Sequence, residues 1–367
     1  MAYNWQLPDW PHFKYNIEEI EDQLLEFTKR TARMSGILDT LPEEAKIETL
    51  LEIIVLEAIK TSEIEGEYIS RKDVMSSVKR NMGIVPQEET KDQRAEGIAG
   101  LMTQVREFYQ KSLSEPMLFE WHKTLMTRSG DIQTGKWRTH QEPMQVVSGA
   151  LGKEKVHFEA PPSSNVPDEM GSFIQWFNNT APGGMQEIKS PPVRSALAHI
   201  YFESIHPFED GNGRIGRAIS EKALSQGAGY PVLLSLSESI ESNKKLYYSQ
   251  LQKAQSTNEI TNWIKYFVDI IIESLTRAEE LVNFTLKKAR LFDKHKVDFN
   301  DRQIKVIQRM LEEGPGGFEG GMNARKYMGI VKTSKATATR DLQNLVEIGV
   351  LHPVGGGRST RYNLKLD

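Results

Sequence analysis

His206-Pro207-Phe208-Glu209-Asp210-Gly211-Asn212-Gly213-Arg214-Ile215-Gly216-Arg217 holds the densest cluster of reactive side chains in this 367-residue chain. Upstream, Val193, Leu197, Ile200 and Tyr201 recur at helical spacing. The residue before Pro207 is steered away from αR, so that helix stops at the cluster. Downstream, Ile215, Ile219 and Leu224 predict a second helix, starting after Gly213 and ending at Gly227. The stretch is therefore a tight helix–loop–helix turn with two glycines at a helix N-terminus, where backbone N–H groups form an anion nest. Arg214 and Arg217, at i and i+3, lie near one face of the first turn. A cation there opposes the helix dipole at a cost on the order of 0.3–1 kcal/mol; a bound polyphosphate would offset it. Asp210 is a hard oxygen ligand suited to Mg²⁺ shared with substrate phosphates. The imidazole of His206 suits a general base.

Two familiar phosphate signatures are excluded. Gly211, Gly213 and Gly216 match GxGxxG, but that fingerprint needs a preceding strand, and 193–205 has helical periodicity. No lysine follows the second glycine, so the loop is not a Walker A loop.

Around this centre the pattern is mostly helical. Ile47, Leu50, Leu51, Ile54, Val55 and Ala58 mark a helix ended by Gly66, and Ser70 with Asp73 marks the start of the next. Most of 90–130 reads as helix, as do 168–178 and 192–205. Residues 145–148 and 156–159, β-branched or aromatic, flank Gly149-Ala150-Leu151-Gly152 and predict a hairpin closed by Pro161-Pro162. The apolar stripe from 260 to 291 exceeds about 25 residues, so it is either one spacer helix or two helices broken near Thr276. The opening, with Trp5, Trp10, Phe13 and Tyr15, reads as an extended arm strapped onto the body. At the other end, helical patterns at 301–312, 322–330 and 334–348 precede two short strands around Gly355-Gly356-Gly357, the outline of a winged helix-turn-helix. The expected fold is mainly α with one small hairpin, in three parts: 1–110, 111–290 and 291–367.

Composition narrows the function. With 38% apolar and 26% charged residues the chain is globular rather than disordered. A net charge of −4 argues against a whole-chain nucleic-acid or membrane binder. The absence of cysteine excludes disulfides, thiolate zinc sites and cysteine nucleophiles. No apolar run reaches the roughly 18–20 residues of a membrane span, and the opening lacks a secretory pattern, so the expected location is cytoplasmic. Charge is uneven: residues 296–367 carry +4, leaving −8 for the rest. A small basic module is attached to an acidic body.

The cluster at 206–217 resembles the Fic family motif HPFxDGNGRxxR at every fixed position, with Glu209 as the variable residue. Gly135-Lys136-Trp137-Arg138 and the hairpin at 143–159 resemble that family's pre-flap and flap, and the resemblance covers roughly 45–290. It implies a Fic helical core with a β-hairpin flap, and an activity that moves AMP from ATP to a Ser, Thr or Tyr hydroxyl of a target protein or of the chain itself, releasing pyrophosphate. It also assigns roles. His206 would deprotonate the hydroxyl, and Asp210 would hold Mg²⁺ against the α- and β-phosphates. Gly211, Asn212 and Gly213 would cradle the phosphates, Arg214 would orient the β-phosphate and Arg217 would bind the γ-phosphate. Tyr247 and Tyr248 fall where the family lines its base pocket, although adjacent tyrosines on a helix are more often core. The target protein would dock along the flap by strand addition.

The same resemblance singles out Thr61-Ser62-Glu63-Ile64-Glu65-Gly66, which fits the family's inhibitory pattern Ser/Thr-x-x-x-Glu-Gly/Asn. It implies that Glu65 forms a bidentate pair with Arg217 and blocks the γ-phosphate site, and that the same Glu supports AMP removal as a second activity. A homodimer is expected from family habit. In the C-terminal module Lys335, Thr337, Thr339 and Arg340 face outward on an expected recognition helix, with Arg358 and Arg361 on the wing. DNA contact and protein contact both fit that module. Two rival functions remain: a DNA-binding regulator whose core senses a nucleotide, and transfer of UMP or another nucleotide. An intact His206 speaks against a purely sensory core, since binding phosphates needs no base.

Overall fold

The computed structural model describes residues 2–84, 90–127, 132–148, 155–295 and 298–366, the side chain of Arg358 excepted. The expected hairpin turn at Gly149–Gly152 and the Arg358 wing contact lie outside the described residues.

The fold is mainly helical. In chain order come α1 (Glu21–Asp39), α2 (Glu43–Ile64), α3 (Arg71–Asn81), α4 (Gln93–Glu107) and α5 (Glu115–Leu125). The antiparallel pair β1 (Gln145–Ser148) and β2 (Lys155–Glu159) follows. Then come α6 (Val166–Asn179), α7 (Pro191–Ile205), α8 (Asn212–Ala228), α9 (Leu236–Ser242), α10 (Lys244–Ala254) and α11 (Thr261–His295). The chain ends with α12 (Asp301–Leu311), α13 (Ala324–Val331), α14 (Lys335–Glu347) and the antiparallel pair β3 (Leu351–Val354) and β4 (Arg361–Leu364). Among the described residues no helix is long and apolar enough to cross a membrane.

The chain divides into two compact units, one of residues 1–32 and 50–276, the other of 33–49 and 277–367. In the first, α7 is its most deeply buried helix: Pro192–Ile205 are all buried. Such a helix shows little one-sided pattern, because it is covered all round. Tyr201, Phe202 and Ile205 pack with Phe173, Phe177, Trp121 and Ile215 in one core. The aromatic opening is strapped onto this body, with short 3₁₀ turns rather than full extension. Asn4 Nδ2 donates to Ser204 Oγ at 2.8 Å, Trp5 Nε1 donates to the Glu159 carbonyl at 2.7 Å, and Trp10 packs edge-on against Tyr201.

The stripe at 260–291 resolves into one unbroken helix. Thr276 does not interrupt α11; its hydroxyl donates to the Ile272 carbonyl within the helix. In the second unit, Val306, Ile307, Met310, Tyr327, Leu342 and Leu345 form a separate core beneath the β3–β4 pair. Arg302 donates to Asp341 at 2.9 Å, and the Tyr327 hydroxyl donates to the same carboxylate at 2.9 Å, tying α12, α13 and α14 together.

Candidate active site

The turn between α7 and α8 is built by two residues in the left-handed region. His206, the C-cap of α7, has φ 50° and ψ 61°, and Gly211, the N-cap of α8, has φ 80°. Left-handed backbone costs a residue with a Cβ about 1 kcal/mol or more, and the surroundings hold His206 there. Buried Arg138 donates to the His206 carbonyl at 2.8 Å and to the Ile205 carbonyl at 3.3 Å, while its own N–H donates to the Pro207 carbonyl at 2.9 Å. Asn212 clasps the loop from inside: the Phe208 N–H donates to its Oδ1 and its Nδ2 donates to the Phe208 carbonyl. His122 of α5 stacks on Phe208 with ring centroids 4.1 Å apart and sits 3.2 Å from the Asp210 carbonyl. Burial lowers the pKa of His122 and favours the neutral ring.

Helix α8 begins at Asn212, two residues earlier than the sequence suggests. It ends at Ala228, with Gly229 rather than Gly227 as the left-handed terminator. The earlier start places Gly213 inside the first helical turn. A Cβ at Gly213 would collide with the Glu65 carboxylate and lie 3.1 Å from an Arg217 nitrogen. The glycine therefore leaves an opening at the positive end of α8, and a carboxylate fills it.

That carboxylate belongs to the end of α2. Glu65 Oε1 accepts from Arg217 at 2.7 Å. The contact is a single charge-assisted bond rather than the expected bidentate pair, and Thr61 shares the guanidinium with Glu65. Arg217 Nε donates to Thr61 Oγ1 at 2.7 Å and a terminal nitrogen donates to the Thr61 carbonyl at 3.0 Å. Arg217 is 1% exposed. Burial alone would lower its pKa, but the Glu65 carboxylate, with Tyr247 and Tyr248, holds it above its ordinary value.

Arg214 does not join Arg217. It donates to Glu67 at 2.9 Å and turns toward Met126, behind the opening. Three residues along a helix leave two side chains about 60° apart, and here that offset sends the arginines to different neighbours. Glu67, two residues beyond Glu65, was not singled out by sequence reasoning. Its only signal is an acidic side chain close to the inhibitory stretch.

His206, Asp210, Gly211, Asn212, Gly213, Arg217, Tyr247, Tyr248 and Glu65 all line one cleft of about 730 Å³. Tyr247 is buried and lies 2.7 Å from His199 Nε2, whereas Tyr248 is 38% exposed. Burial raises the pKa of both phenols. The β1–β2 pair closes one side through Gln145, Val146, Val147 and Phe158. Asp210 is half exposed, and its Oδ1 accepts the Gly211 N–H at 2.6 Å. Among the described residues no group of three or more His, Cys, Asp or Glu side chains could cage a metal ion. A single carboxylate beside an anion nest fits Mg²⁺ that keeps most of its ligands from water and substrate phosphates.

Residues 112–224 match the Fic/DOC family model. The chain carries a Fic domain. Residues 3–84 match a second model, described as a domain of unknown function (DUF4172). A Fic family protein from Desulfovibrio desulfuricans G20 shares the fold across 97% of this chain and 98% of its own, with TM-score 0.57 and 20% identity. A Fic-domain-containing signaling protein from Bacteroides thetaiotaomicron VPI-5482 aligns over 72% of this chain and 97% of its own, with TM-score 0.56 and 21% identity. Among curated relatives, the protein adenylyltransferase fic-1 of Caenorhabditis briggsae is 24% identical over 161 residues, 44% of this chain and 27% of its own length. The matched segments span about a third or less of the curated relatives.

Proposed function

We propose that the Fic-domain chain is an autoinhibited protein adenylyltransferase that uses ATP. The observation that carries this reading is the cleft at Gly213, where a general base, an anion nest and a buried arginine converge and Glu65 holds the arginine at 2.7 Å. His206 takes the proton of a target Ser, Thr or Tyr hydroxyl. The oxygen attacks the α-phosphorus, and the bond to pyrophosphate breaks. Gly211, Asn212 and Gly213 bind the phosphates and Arg217 binds the γ-phosphate, so catalysis is positioning and charge stabilisation with one base on the nucleophile. The β-phosphate role that family likeness gives Arg214 requires its side chain to leave Glu67. Mg²⁺, held by Asp210 and the nucleotide, would supply charge neutralisation. Tyr247 and Tyr248 line the far wall of the cleft, where the base would sit.

The target segment adds to the flap along β1. Carbonyls of β2 already accept from Trp5 and Gln252, whereas among the described residues no strand pairs with the other side of β1. Removal of AMP at the same site, with Glu65 positioning a water, is a second activity of this reading. In the second unit, three helices followed by the β3–β4 hairpin support a winged helix-turn-helix. Lys335 and Arg340 lie exposed on α14, whose N-cap is Ser334, which suits DNA.

The test is incubation of the purified chain with Mg²⁺ and each nucleoside triphosphate labelled at the α-phosphate, for wild type, Glu65→Gly and His206→Ala. Label from ATP on the chain or on lysate proteins, raised by Glu65→Gly and lost in His206→Ala, is the expected result. Label only from UTP would replace AMP with UMP. Label from no nucleotide would leave a sensory core.

A further inference from the structure

Glu203 stands three residues before His206, one turn back on α7, and its carboxylate is buried at 4% exposure. A buried carboxylate is costly unless paired. Its Oε2 faces His206 Nδ1 at 3.6 Å. Glu203 Oε1 and His206 Nδ1 are both buried and have no hydrogen-bond partner among the described residues. His206 lines the cleft, so with Nδ1 turned inward Nε2 is the ring nitrogen left to face it. Gly216 makes room for this arrangement, because a Cβ there would collide with Glu203 Oε1. The other charged and titratable groups around the pair are His199 on α7, Arg217 on α8, Tyr247 and Tyr248 on α10, and Glu65 at the end of α2. Burial alone would raise the Glu203 pKa, but His206, His199 and Arg217 together bring it below its ordinary value, so the group stays ionised.

We infer that Glu203 is a positioning residue for His206. Its carboxylate accepts Nδ1–H and fixes the tautomer whose Nε2 lone pair faces the cleft. It also stabilises the imidazolium formed when the target proton arrives. At 3.6 Å the two groups stand just beyond hydrogen-bond distance, and contacts of this kind tighten in the substrate complex. The direction of proton transfer rests on the transferase reading above; the tautomer does not.

The test has two arms on the full chain. Nitrogen-15 NMR of the His206 imidazole, assigned with His206→Ala, is expected to show Nδ1 protonated and Nε2 bare when the ring is neutral. Glu203→Gln keeps the side-chain volume but can donate to Nδ1, so it is expected to shift the ring toward the Nε2–H form. In the Glu65→Gly background the same substitution is expected to lower kcat about 10- to 100-fold, part of what a general base contributes, with the KM for ATP within about twofold. Thermal unfolding checks that the variant is folded; if it is not, the wild-type tautomer decides. A wild-type Nε2–H tautomer overturns the inference, as does Glu203→Gln with unchanged tautomer and kcat. A Glu65→Gly rate no higher than that of His206→Ala would instead overturn the transferase reading and leave the tautomer result standing.

Discussion

Replacing Glu65 by glycine removes one charge-assisted hydrogen bond and opens the space beside Gly213. Hydrogen bonds to charged groups contribute about 1.5–3 kcal/mol. Glu65 keeps 29% of its side chain exposed, which favours the lower end of that range. At about 1.4 kcal/mol per tenfold, productive use of ATP is expected to rise roughly tenfold. Arg217 does not lose its place in this variant, because Thr61 still holds two of its nitrogens. The γ-phosphate therefore meets a positioned guanidinium.

Arg217→Ala is expected to behave differently. It removes the partner of Glu65 and the phosphate ligand together, so no activation follows. The double variant should match Arg217→Ala, the non-additive outcome of two residues sharing one interaction. The assay is initial self-modification at fixed Mg-ATP for the four proteins, with Glu65→Gln as an uncharged control of similar size. Equal rates for wild type and Glu65→Gly would refute the reasoning and make Glu65 an ordinary carboxylate at a helix end.

Three further outcomes follow from the same geometry. His206→Ala should lower transfer by about 10²–10⁴-fold, the usual share of a general base, while calorimetry finds ATP affinity within about twofold; comparable loss of both would move His206 into the binding set. Lys222 is buried, donates to the Phe108 and Tyr109 carbonyls, and is pushed down to about 8 by burial. Between pH 8 and about 10.4 the unfolded chain holds a proton that the folded chain has released, so this group's contribution to stability rises with pH there, by on the order of 3 kcal/mol. The urea midpoint of wild type minus that of Lys222→Met should rise across that window, and a flat difference would contradict the assignment. If α14 contacts DNA, Lys335→Ala combined with Arg340→Ala should reduce the slope of log K against log salt by about 2; no DNA binding by the wild type at low salt would assign the module to protein contact.

The sequence exposes the turn at 206–217 because its parts are contiguous: a proline, glycines and two arginines within one stretch state both the backbone shape and the charge. Helix periodicity likewise places α2, α7 and α11, with ends displaced by a residue or two where local capping decides. The partners are less visible. Thr61 dividing the Arg217 guanidinium with Glu65, Glu67 capturing Arg214, and Arg138 holding the His206 carbonyl are contacts between residues 68 to 156 positions apart. Glu203 had a local signal, an acidic residue one turn before a histidine, but that spacing is common and its burial is not readable from the sequence. Adjacent Tyr247 and Tyr248 could not be sorted by pattern. A helix turns about 100° per residue, and that step alone separates the buried phenol beside His199 from the half-exposed one.

On the proposed reading, the opening at Gly213 means that inhibition and catalysis cannot be separated by changing the cradle. A side chain large enough to exclude the Glu65 carboxylate would also occupy the place of a phosphate, since both need the space beside the first turn of α8. Control on the proposed reading must therefore act on the end of α2. That end is held at several points. Lys244 donates to the Ile64 carbonyl, and Lys60 bridges Glu63 and Glu241 at 2.7 and 3.4 Å. Two turns back, buried Glu57 accepts from Ser235 and from the Ser237 N–H at the start of α9. Thr61, Glu65 and Glu67 thus ride on a segment anchored to α9 and α10, the elements that lead into the tyrosine wall of the cleft. On the proposed reading, a displacement of α9 or α10 would loosen the Glu65 contact and shift the wall formed by Tyr247 and Tyr248 in one movement, which would couple nucleotide entry to release of the carboxylate.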